Sequence, residues 1–184
     1  MAVSKDGPQY RFVIPGTSEE TKAQLDMASN RVLAIATVHK QLHLTGSMEE
    51  IEIDAFLRRL CESLKRTAPA QIAALNVTAA NIKLRSDVVS GLGLLVAELV
   101  TNSFKYAYPV GETGSVAVDF KQTPNGWSLE VSDEGRGLPE DFDMDQTKGF
   151  GMQVEKAFVR RLNAKVTVSS RPERTAFEIS SSQS

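Results

Sequence analysis

The hydrophobic period changes halfway along this chain, and that change limits the fold more than any other feature. Val88, Leu92, Leu95 and Leu99 recur at helical spacing, and Pro109 closes the stretch. Beyond it, Val116, Val118 and Phe120 alternate, Thr123-Pro-Asn-Gly126 marks a turn, and Trp127, Leu129 and Val131 alternate again. A long amphipathic helix followed by a hairpin of half-buried strands requires a sheet with helices laid against it. Ser86 or Asp87 is the expected cap of the helix. Val77 and the run from Asn81 to Leu84 are expected to be short strands before it. After the hairpin come a glycine-rich segment, a helix from about Gly151 to Leu162, and two strands carrying Val166/Val168 and Phe177/Ile179. The expected architecture is therefore α+β, a two-layer sandwich with helices on one face of a mixed sheet.

The first third of the chain differs. Residues 1–17 read as an extension of unassigned role. From there Leu25, Ala28, Val32, Ile35, His39 and Leu42 recur at spacings of three and four, the seam of a helix that pairs with another helix. Asp54 opens a shorter helix whose apolar face is Phe56, Leu57, Leu60, Cys61 and Leu64, with Cys61 read as a packing residue. The expected division is an extension over 1–17, a helical segment over 18–68, a mixed domain over 69–180 and a frayed tail over 181–184.

Composition removes several function classes. One cysteine excludes an intramolecular disulfide, and two histidines make a multi-histidine metal cluster implausible. With 21 Lys and Arg against 23 Asp and Glu, the net charge of −2 offers no broad positive field, so nucleic acid is not an expected partner. The apolar run from Val88 to Val100 is interrupted by Ser90 and Glu98 and reads as too short to span a bilayer. No apolar block follows Lys5 and Asp6, so no signal peptide is read and a cytoplasmic location is expected. His39 and His43 have no neighbouring nucleophile constellation, so a hydrolytic triad is unsupported.

Three Gly-x-Gly pairs occur. Gly91/Gly93 lies within the helical stripe and reads as close packing, while Gly135/Gly137 and Gly149/Gly151 lie in loops between a strand and a helix. None has the third glycine of a dinucleotide fingerprint, and no Walker-type phosphate loop is present. Asp133 is the most informative residue. Its parity puts it on the apolar face with Trp127, Leu129 and Val131, where a carboxylate needs a partner. It reads either as a turn cap for Glu134-Gly135 or as an acceptor aimed into a pocket at an exocyclic amino group. Glu98 and Asn102 share one helix face, extended by Lys105 and Tyr106. Taken alone that row is a solvated helix face; in a pocket it suits a metal-bound phosphate chain, because Mg²⁺ accepts one amide oxygen plus phosphate oxygens.

Together these motifs resemble the ATPase domain of sensor histidine kinases, in the wider GHKL superfamily with its Bergerat-type ATP-binding fold. Glu98-Leu-Val-Thr-Asn102-Ser-Phe-Lys-Tyr-Ala107-Tyr-Pro109 is similar to the family's N box. Asp133-Glu-Gly-Arg-Gly137-Leu-Pro139 is similar to its first glycine box, and Lys148-Gly-Phe-Gly151-Met to its second. The order and the intervening strands match over about residues 75–180. Upstream, Ala28-Ser-Asn-Arg-Val32-Leu-Ala-Ile-Ala36-Thr-Val-His39 resembles the second helix of the dimerisation segment in kinases of the HWE-related group.

The resemblance implies roles. Asn102 would supply an oxygen to Mg²⁺, and Glu98, the catalytic residue, would orient or polarise the reacting groups. Lys105 would approach phosphate and Tyr106 would line the ATP site. Asp133 would accept from the adenine amino group, with Gly135 and Gly137 letting the loop pass close to the base. Gly149 and Gly151 would hinge a small lid and present backbone N–H groups to phosphate. The γ-phosphoryl group would pass to a histidine and then to a response regulator, within a homodimer formed through the helix around residues 18–45. Residues 1–24 contain no histidine, so the acceptor is expected outside this chain's described motifs. His39 matches a position in the second helix rather than the acceptor, and the phosphoacceptor stays unassigned. Two alternatives fit the same residues: a histidine phosphotransferase or scaffold without ATP turnover, and a serine kinase that inhibits a sigma factor. The acid lability of phosphohistidine separates the last from the first.

Overall fold

The computed structural model of the chain describes residues 50–139, 142 and 164–181. The described chain runs β1 (Glu50–Glu52), α1 (Ile53–Lys65), β2 (Ile72–Ala79), β3 (Lys83–Arg85), α2 (Ser86–Tyr106), β4 (Gly114–Thr123), β5 (Gly126–Asp133), β6 (Ala164–Arg171) and β7 (Arg174–Ser181). β2, β4, β5, β7 and β6 form one five-stranded sheet in that order, and β1 pairs with β3 in a separate two-stranded ribbon. β2 and β4 are parallel, which two successive strands can be only if the chain crosses over between them; α2 is that crossover. All other pairs in the large sheet are antiparallel.

Strand alternation decides which face is dry. Val116, Val118 and Phe120 on β4 and Trp127, Leu129 and Val131 on β5 are buried on one side, facing the helices. α1 buries Ile53, Phe56, Leu57, Leu60, Cys61 and Leu64 into the same core, packed on β2 and α2. Burial pushes the Cys61 thiol up to about 12, as befits a packing residue. The opposite face is polar: Ser128 Oγ donates to Glu178, and Arg174 pairs with Glu130 at 2.9 Å. Helices on one face of a mixed sheet are the architecture expected from the change of period.

Local differences have physical reasons. β2 is much longer than the short strand expected at Val77, because its parallel pairing with β4 extends from Ile72 to Ala79. Neither Ser86 nor Asp87 caps α2. Arg85 occupies the cap position without a side-chain hydrogen bond to the helix end, its guanidinium donates to Asp87 instead, and the Ser86 carbonyl accepts from Ser90 Oγ. The dry stripe of α2 is wider than expected: Leu92, Leu95 and Leu99 are buried as expected, Val89, Val96 and Val100 are buried beside them, and Val88 is half-buried. By length and composition α2 is long and apolar enough to cross a membrane. In the fold most of that stretch is buried against α1 and the sheet, as in the core helix of a globular domain.

Candidate functional site

The buried stripe of α2 does not end in an apolar residue. Continuing from Val89, Val96 and Val100 by helical spacing, the next position is Ser103, and it is buried. A buried hydroxyl needs a partner. Its partner is Asp133, the last residue of β5, whose Oδ2 accepts from Ser103 Oγ at 2.8 Å. The other oxygen, Oδ1, accepts the backbone N–H of Gly135 at 3.1 Å. The residue therefore caps its own turn, and its carboxylate is buried at the end of β5. Among the described residues Ser103 donates to one oxygen and the Gly135 amide to the other, and a carboxylate oxygen can accept more than one hydrogen bond. Capacity for a further donor remains.

Glu98, one turn and a residue before Ser103, is also buried, and Asn102 is half-buried on the same side of α2. The Lys105 ammonium is withdrawn from solvent. Tyr106 is exposed at the end of the helix. The structure thus joins Ser103, near the end of α2, to Asp133 and Gly135 at the end of β5, with Glu98 and Asn102 on the same helix. Gly149, Gly151, His39 and the helix expected over 151–162 lie outside the described residues. Among the described residues no group of three or more His, Cys, Asp or Glu side chains is placed to hold a metal ion.

The glycines of the loop after β5 are required by backbone contact. A Cβ at Gly135 would run into the backbone of Ala107, and the next amide, of Arg136, donates to the Ala107 carbonyl at 3.0 Å. Gly137 has φ +79°, and a Cβ there would lie 2.9 Å from the Arg171 carbonyl. Leu138 N–H donates to Ser170 Oγ at 2.7 Å, closing the loop onto β6. The loop is thereby pinned between the end of α2 and the β6–β7 hairpin.

Two residues of this site carry more than their sequence reading. In the sequence Ser103 is only a member of the Glu98-to-Pro109 motif, although the stripe from Val89 through Val100 leads directly to it. Tyr108 was only part of a motif. Its hydroxyl donates to the Ser115 carbonyl at 2.6 Å and accepts Glu134 N–H at 3.0 Å.

This geometry can be set beside known proteins. Residues 87–182, more than half of the chain, match the family described as histidine kinase-, DNA gyrase B- and HSP90-like ATPase. The chain belongs to this ATPase family. Residues 15–68 match a second family, described as histidine kinase. Blue-light-activated histidine kinase 2 of Erythrobacter litoralis is 26% identical over 152 residues, covering 79% of this chain and 44% of that protein. Sensor histidine kinase PdtaS of Mycolicibacterium smegmatis is 26% identical over 145 residues, covering 78% of this chain and 29% of that protein. The chain thus spans less than half the length of these curated relatives. Among solved structures, the histidine kinase domain of the Erythrobacter litoralis EL346 blue-light activated kinase aligns with a TM-score of 0.77 at 25% identity, covering 87% of this chain and 81% of that one. Acinetobacter baumannii histidine kinase AdeS shares the fold, with a TM-score of 0.63 at 18% identity over 90% of this chain and 85% of that one. Within the ATPase family, then, this chain carries a histidine kinase-like ATPase domain of the kind found in sensor kinases.

Proposed function

We propose that this chain is the ATP-binding catalytic module of a two-component sensor histidine kinase, transferring the γ-phosphoryl group of ATP to a histidine for relay to a response regulator. One observation carries the reading: a buried carboxylate, Asp133, held by the Gly135 amide and by Ser103 of the helix that also bears Glu98 and Asn102. A structural carboxylate at this position would need only its partners. One that keeps acceptor capacity beside a half-buried amide suits a ligand with an amino group at one end and bound cation at the other.

In this reading Asp133 accepts from the adenine amino group. Ser103 and Gly135 fix its rotamer beforehand, so that binding orders little that is not already ordered. Asn102 contributes an oxygen to Mg²⁺, which when bound supplies charge neutralisation along the polyphosphate. Lys105 lies along the same helix for the phosphates, and Tyr106 borders the site from its exposed position. Gly149 and Gly151 give backbone N–H groups to the phosphate end. Glu98 orients the accepting imidazole or polarises it, and the transfer relies on position and charge neutralisation. The helix around residues 18–45 pairs with its copy in a homodimer, in the cytoplasm, and brings an acceptor histidine within reach.

Incubation with γ-labelled ATP and Mg²⁺, in the presence of a histidine-bearing dimerisation segment from a relative, tests the transfer. Acid-labile, base-stable label on that segment, lost in Glu98→Ala and Asn102→Ala, is expected. Acid-stable label would assign the chain to serine phosphorylation. ATP binding with no label transferred would leave a nucleotide-binding scaffold.

A further inference from the structure

We infer that Tyr108 is the positioning residue of the nucleotide loop: its hydroxyl, set between the start of β4 and Glu134, fixes the pose in which the 134–137 segment meets adenine. The inference rests on the reading of the site as an ATP pocket and names a residue that this reading does not use.

The geometry is specific to the hydroxyl. Tyr108 lies just beyond α2, and its ring lies over Gly114, where a Cβ would collide with the ring carbons and the hydroxyl. The glycine opens the niche, and the ring enters it until the hydroxyl reaches two backbone groups. It donates to Ser115 O at 2.6 Å and accepts Glu134 N–H at 3.0 Å. Ser115 is tied to the same loop a second time, because its Oγ donates to Glu134 Oε2 at 2.9 Å. Immediately before Tyr108, the Ala107 carbonyl accepts Arg136 N–H. Residues 107 and 108 thus hold the amides of residues 134 and 136, while Asp133 holds the amide of residue 135 between them. Burial and the nearby carboxylates of Asp133 and Glu134 push the phenol above its ordinary range, so it stays protonated and keeps donating at neutral pH. The loop has other supports, among them Arg136 N–H on Ala107, Ser115 on the Glu134 side chain and Leu138 on Ser170, yet among the described residues it is Tyr108 that reaches the amide directly after Asp133.

Tyr108→Phe keeps the ring in the niche and removes both hydrogen bonds. In the ligand-free protein, amide hydrogen exchange at Glu134 should speed up by about fivefold or more, as expected for one lost hydrogen bond, with amides of β4 and β5 unchanged. ATP and ADP affinity, read by calorimetry, should fall by about fivefold together, because the loop meets the adenine end common to both. In the Asp133→Asn background the same change should add nothing, since the group whose approach the loop sets is already disabled. Rescue would not come from Gly114→Ala, which keeps the hydroxyl but displaces the ring, and that variant should reproduce the loss. Unchanged exchange at Glu134, or faster exchange with unchanged affinity for both nucleotides, overturns the inference. Wild-type protein that binds neither nucleotide overturns the ATP reading itself, and the exchange experiment, needing no nucleotide, tells the two failures apart.

Discussion

The β4–β5 hairpin ends in two different ways. At its turn, Phe120 and Trp127 stack with ring centroids 6.0 Å apart, and Leu129 is fully buried nearby. At its open end, the same inward-facing positions are occupied by Asp133 on β5 and lead to Ser103, Ser115, Tyr108 and the glycine loop. One register serves both: Thr123 pairs with Gly126 at the turn and Val116 pairs with Asp133 at the other end. The dry end repays burial with apolar area and ring stacking. The polar end places a carboxylate where a hydrophobe would be more stabilising. A fold that gives up apolar burial at one end of a continuous ladder, and supplies fixed donors there, is what the proposed nucleotide site rests on.

The difference can be broken from either side. Leu129→Ala should cost about 2–5 kcal/mol of stability through the cavity it leaves, read by urea denaturation, while the folded fraction binds ATP with unchanged affinity. Gly135→Ala should cost about 1–3 kcal/mol, because the new methyl must displace the Ala107 backbone rather than a flexible side chain. It should also weaken ATP binding, which distinguishes it from Leu129→Ala. Ser103→Ala should cost about 1 kcal/mol of stability and a few-fold in ATP affinity, since it frees Asp133 Oδ2 without removing the charge. Asp87 is the smallest case and belongs to neither end. Its hydrogen bond from Arg85 holds its carboxyl below the ordinary value. A depressed folded value means that the pair contributes stability above the unfolded pKa and loses it as pH falls through the folded one, below about pH 4. Both groups are solvent-exposed, so Asp87→Asn should leave the urea midpoint at pH 7 within experimental scatter.

The dry end was the more legible one. Alternation at Val116, Val118, Phe120, Trp127, Leu129 and Val131 predicts the hairpin, its turn and its inward face, because burial of one face imposes period two. The parity of Asp133 likewise places it on the core side. What sequence did not carry was contact between distant segments. β2 looked short because its length comes from pairing with β4, forty residues away in the register of Ile72 with Gly114. Ser103 was readable from the stripe of α2, but its partner is a matter of how α2 crosses β5. Tyr108 was opaque: nothing in Ala107-Tyr-Pro109 says that a glycine at position 114 makes room for its ring. The cap of α2 was misassigned for a local reason, as Asp87 is taken by Arg85.

The central claim is that the buried Asp133 carboxylate is an acceptor for a nucleotide base. Calorimetric titration of the protein and of Asp133→Asn with ATP and Mg²⁺ tests it most directly, with a thermal melt of each to establish folding. The amide keeps an oxygen for Ser103 but loses the charge and one acceptor face. Measurable binding by the wild type and at least about a tenfold loss in the folded variant are expected, as for a charged hydrogen bond. Equal affinity in the two proteins would make Asp133 a turn cap and nothing more, and would contradict the account.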